Sequence, residues 1–134
     1  MVFVAYTDNT VHMFDTRAAG TSHQFRTGGH SGLVKSIFVA NDESVVYTGG
    51  MDGTMRIWDI GKRAVIKTFG SDDQSNVEYS FHTQTIWSIL PDLDDPSIIW
   101  TGGRDGKIFI TDIEEGKARC LLDGNKSITC IAND

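Results

Sequence analysis

Three residues in the middle of the chain, His30, Thr48 and Asp52, are of the types that can do chemistry together: an imidazole base, a hydroxyl and a carboxylate to orient the imidazole. As a hydrolase triad the set falls short, because there is neither a nucleophile on a strained turn nor an evident oxyanion hole. An enzyme is therefore the weakest of the readings. Metal chemistry fares no better: His12, His23, His30 and His82 show none of the close His or Cys pairs of zinc sites. The acidic loop Asp92, Asp94, Asp95 lacks the glycine and distal glutamate of a calcium loop. The expectation is no metal and no cofactor.

The elements that must position these residues are legible around Tyr47 to Ile60, YTGGMDGTMRIWDI. A β-branched and aromatic run and a second alternating run flank Asp52-Gly53, the dipeptide that best suits a two-residue β-hairpin. The pattern recurs from Val4 to Thr16 and from Ile99 to Ile113. Turn aspartates at Asp8, Asp52 and Asp105, and closing aspartates at Asp15, Asp59 and Asp112, step by about 44 and then about 53 residues, a period in the propeller range. A longer polar loop from Gly70 to Ser80 accounts for the wider second step.

The 134 residues, 40% hydrophobic and 22% charged, are globular in composition, and fourteen glycines with two prolines favour an all-β protein of short strands. A formal charge of −6 with no basic stripe argues against nucleic acid as a direct partner. No segment approaches the roughly 18 apolar residues of a membrane helix, and the N-terminus lacks a basic region, so no membrane contact and a cytoplasmic or nuclear, unsecreted protein are expected. Two cysteines, Cys120 and Cys130, are too few for a disulfide framework and suit a reducing compartment.

Taken in order, the runs give about twelve strands. Blade 1 spans about 1–26, blade 2 about 33–69 and blade 3 about 85–122, with the first strand of a further blade at about 127–132. The chain thus opens on the second strand of one sheet and closes on the first strand of another.

Gly29-His30, Asp52-Gly53 and Trp58-Asp59, with the weaker copies His82, Asp105-Gly106 and Thr111-Asp112, resemble the WD-repeat family over essentially the whole chain. The resemblance implies an all-β fold, a partial WD-repeat β-propeller of three four-stranded antiparallel blades. It also implies a structural role for the triad-like residues, a buried network of His30, Thr48, Asp52 and Trp58. The third blade keeps His82, Thr101 and Asp105 but has Thr111 in the Trp place, and the first keeps only Asp8, with Phe14 there.

A propeller brings the loop before each first strand and the turn between second and third strands to one end. Leu33, Lys35, Met51, Thr85, Trp87 and Arg104 are expected to cluster there as a partner-binding face. Within it Lys35, Trp87 and Arg104 stand out, since Trp and Arg dominate interface energetics and a Lys supplies a polar rim. GGHSGLVKSIF, DGTMRIWDIG, TIWSIL and TGGRDGKIFITDI are similar to blades of WD-repeat cofactors that bind and activate ubiquitin-specific proteases. In that family a Lys, a Trp and an Arg matching Lys35, Trp87 and Arg104 contact the protease finger region. The resemblance implies a non-catalytic scaffold and deubiquitinase regulator. The alternatives are a generic WD-repeat scaffold with an unrelated protein partner, or a propeller fragment that self-associates head to tail.

Overall fold

The computed structural model describes residues 1–18, 22–25, 29–70 and 81–132. Alternation of apolar and polar residues, broken by Asp-centred turns, produces eleven strands and no helix among them. Strands β1 (Val2–Ala5), β2 (Val11–Phe14) and β3 (Ser22–Phe25) form the first sheet. The second contains β4 (Val34–Val39), β5 (Val45–Gly50), β6 (Met55–Asp59) and β7 (Ala64–Phe69) in that spatial order. In the third, β8 (Ile86–Pro91), β9 (Ile98–Gly103), β10 (Lys107–Asp112) and β11 (Lys117–Asp123) repeat the arrangement. All pairings are antiparallel.

The sheets stack face to face. Val11, Met13, Val34, Val46, Trp58 and Ile60 fill the space between the first two. Met55, Ile57, Phe69, Phe81, Ile86 and Phe109 belong to the core between the second and third. Each such buried side chain contributes about 1.5–3 kcal/mol of transfer free energy, so the middle sheet, covered on both faces, is the best anchored. Close approach is set by Gly49 on β5, where a Cβ would lie 2.7 Å from Ile86 Cγ2 of the next sheet.

The hairpin turns differ from the expected two-residue form. β5 ends at Gly50 and β6 begins at Met55, with Gly53 alone in the left-handed region (φ 73°). A two-residue type I′ turn needs positive φ at both central residues, and Asp52 is instead held by its side-chain bonds. The chain over 127–132 also departs from expectation, since it forms no strand ladder. It is nonetheless fixed: the Ile128 amide donates to the Gly103 carbonyl (2.9 Å) and the Ile131 amide to Ser88 Oγ (3.0 Å). No second strand lies beside it among the described residues, so it has nothing to pair with. The first sheet has the three strands read from the sequence, short of the four of a complete blade, with β1 at its edge among the described residues. The loop expected at Gly70 to Ser80 falls at 71–80 outside the described residues, as do Arg26 and Gly28.

Candidate partner-binding face

The end of the sheets that carries the β5–β6 and β9–β10 turns is built on two buried hydrogen-bond relays. In the second sheet Trp58 Nε1–H donates to Thr48 Oγ1 (2.7 Å), and the Thr48 hydroxyl donates to His30 Nε2 (2.7 Å). His30 Nδ1–H then donates to Asp52 (3.0 Å), an order fixed by the carboxylate being able only to accept. Asp52 also accepts the amides of Ser31 and Thr54 (both 3.0 Å) and the Thr54 hydroxyl (2.8 Å). Burial works against ionising Asp52, but the His30 bond and charge and the Thr54 bonds outweigh it and hold its carboxyl at about 2. With every lone pair engaged and 3% of its side chain exposed, Asp52 ties the loop before β4 to the β5–β6 turn.

The third sheet repeats the relay one member short. Thr101 Oγ1–H donates to His82 Nε2 (3.0 Å), His82 Nδ1–H to Asp105 (2.9 Å), and Asp105 accepts the amides of Thr83 and Lys107. Burial, opposed by Asp105, pushes the His82 pKa down. Thr111 occupies the position of Trp58, each paired across the ladder with the same place on its neighbour, Ile99 and Val46. Its hydroxyl is buried without a hydrogen-bond partner among the described residues. These geometries serve the fold: all the polar groups are turned inward and saturated, apart from that one hydroxyl.

On this framework the face is assembled by repeated backbone bonds. The Met51 amide donates to the Leu33 carbonyl and the Arg104 amide to the Thr85 carbonyl, both at 2.8 Å. Lys35 and Trp87 sit at β-bulges. Val34 and Ser36 pair with Gly50 and Gly49, and Ile86 and Ser88 with Gly103 and Gly102, leaving Lys35 and Trp87 as the extra residues. A bulge re-aims a side chain out of the strand alternation. Here it brings the Lys35 ammonium over the Trp87 ring, 5.9 Å from its centre, across the boundary between two sheets. Trp87 is half-buried and absent from either core, while Lys35, Met51 and Arg104 are exposed and Leu33 is half-buried. Thr85 is the exception: at 4% exposure it contributes its carbonyl to the loop and no surface.

Sequence reasoning passed over Thr54, whose hydroxyl lies 3.0 Å from His30 Nδ1 as well as bonding Asp52. The signal was a hydroxyl two residues beyond a turn aspartate, a spacing repeated at Asp8 with Thr10, Asp42 with Ser44 and Asp95 with Ser97. Among the described residues no group of His, Cys, Asp and Glu is placed to hold a metal ion, and no helix is long and apolar enough to cross a membrane.

The relay, the turn and the repeat spacing coincide with a family match: the model for "WD domain, G-beta repeat" covers residues 21–59. Residues 21–59 are thus similar to one WD40 repeat. The matched WD40 unit runs from β3 to β6, so it joins the last strand of one sheet to three strands of the next. The three antiparallel sheets are consistent with part of a WD40 propeller. Similar proteins include the methylosome protein WDR77 of Xenopus laevis, 24% identical over 75% of this chain and 27% of its own length. The COMPASS component SWD3 of Saccharomyces cerevisiae is 30% identical over 69% of this chain and 26% of its own length. The THO complex subunit 6 of Arabidopsis thaliana is 31% identical over 56% and 20%. This chain thus spans about a quarter or less of each of these relatives.

Proposed function

We propose that this chain is a non-catalytic protein-interaction platform that docks a ubiquitin-specific protease on the Lys35, Trp87 and Arg104 face. The observation that carries the reading is the Lys35–Trp87 pair, two bulged residues of neighbouring sheets held in contact at the end where the Arg104 turn is tied down. An aromatic body beside one exposed cation, with a second, Arg104, exposed on the turn bonded to Thr85, offers contact area, a planar donor fork and a positive rim, the features of an interface anchor. Docking there would raise protease activity by favouring its active conformation, a shift in population that requires no chemistry from this chain. The proteins it is similar to bear names of multi-subunit assemblies, the methylosome, COMPASS and the THO complex, which supports a scaffolding role in the cytoplasm or nucleus. The test is a pull-down with Trp87→Ala and Arg104→Ala variants. Loss of protease capture by both supports the face; capture equal to wild type defeats it.

A second reading, self-association, rests on β1 standing at the edge of its sheet and on the run at 127–132, which joins no ladder among the described residues. Pairing one with the other between two copies would saturate both and remove edges that invite aggregation. Light scattering discriminates: a monomer at micromolar concentration counts against it.

A further inference from the structure

At the end of the sheets opposite that face, the β4–β5 turn, the β8–β9 loop and the β10–β11 turn enclose a groove of about 760 Å³. Its walls and floor include Phe38, Val45, Tyr47, Pro91, Pro96 and Ile113, while four acidic residues, Asp42, Asp92, Asp95 and Glu114, stand around it. Among the described residues no Lys, Arg or His lines it. The Lys67 ammonium donates to the carbonyl of the lining residue Ile113 and lies over the Phe69 ring. Asp42, Asp92 and Asp95 cap their own loops through backbone amides, which fixes their positions and leaves their charge uncancelled. Tyr47 is 4% exposed, yet its hydroxyl forms no hydrogen bond with another described residue. Its ring is buried while its oxygen opens on the groove, so the phenol is available to a ligand atom there.

We infer that this groove binds a basic segment of a partner protein, an arginine or lysine beside an aliphatic residue, with the cation among the carboxylates and the apolar side chain on the Phe38 and Tyr47 floor. The volume is that of a site for one or two side chains. The concentrated negative field favours a cation and excludes a phosphate backbone. Burial, and then the Asp42 charge, push the Tyr47 phenol up, so it stays protonated and can donate to a backbone carbonyl of the bound segment. This site is independent of the Lys35 face, and neither proposal needs the other.

The probe is a fluorescein-labelled peptide alternating arginine and leucine, with a glutamate–leucine peptide as its counterpart, followed by anisotropy against the whole chain. Binding of the arginine peptide alone is expected, weakened about fivefold by Tyr47→Phe, the size of one lost hydrogen bond. Glu114→Gln should weaken it about threefold, while Asp123→Asn, which removes the same charge from exposed β11, leaves it unchanged. Circular dichroism and melting confirm that each variant folds. Equal binding of both peptides, no binding at millimolar peptide, or the same loss with Asp123→Asn as with Glu114→Gln overturns the inference.

Discussion

Thr48 and Thr101 occupy the same place in adjacent sheets, both fully buried, and differ in one respect. Thr48 Oγ1 serves two partners, the Trp58 indole and His30, whereas Thr101 Oγ1 serves His82 alone. Replacing either by valine keeps the shape and removes the hydroxyl. Each buried polar group left without its bond costs about 1–3 kcal/mol. Thr48→Val strips a partner from two groups and should cost about 2–6 kcal/mol, a large share of a domain's usual 5–15. Thr101→Val strips one, for about 1–3 kcal/mol. Urea unfolding followed by tryptophan fluorescence, with equal slopes confirming comparable transitions, reads both losses. Equal losses, or a larger one at Thr101, would refute the reasoning that the indole is an energetic member of the relay.

Other outcomes follow from the same geometry. Thr111→Val removes a buried hydroxyl that has no partner, so it should raise stability by about 1 kcal/mol, seen as a higher melting temperature. His82 is held neutral by burial, with a folded pKa below its ordinary 6.5. The unfolded chain therefore takes up a proton first as pH falls, and stability, complete above 6.5, declines below it until the lowered folded value is passed. Melting temperatures across this range should show the decline, and His82→Gln should flatten it. Asp52 adds a second loss at lower pH, beginning near 3.8 and complete at about 2. Gly49→Ala forces a Cβ to within 2.4 Å of Ser36 Oγ and 2.7 Å of Ile86, so the second and third sheets must separate; a cost of about 1–3 kcal/mol in urea unfolding is expected.

Much of this was readable from residue order. The hairpins announced themselves through Asp-Gly between alternating runs, and the His30, Thr48, Asp52 and Trp58 relay assembled because each member sits at a fixed distance from a turn. What could not be read depends on pairing. The bulges that turn out Lys35 and Trp87 exist only relative to the facing strand, and nothing within VKS or IWS distinguishes them. Thr85 reads as surface because it follows a loop, yet the ladder begins immediately after it and its side chain is buried. The run at 127–132 has strand composition but no neighbour to pair with, and composition cannot supply one. Asp52-Gly53 has the letters of a two-residue turn, but the carboxylate's commitment to His30 and Thr54 selects a longer one.

The proposed docking face is tested most directly by titrating the chain into a ubiquitin-specific protease and measuring hydrolysis of a fluorogenic ubiquitin substrate. The account predicts activation by wild type and by Ile66→Ala, an exposed β7 residue away from the face, with the half-maximal concentration raised at least about tenfold in Trp87→Ala. Activation by Trp87→Ala at the same half-maximal concentration as wild type would contradict it.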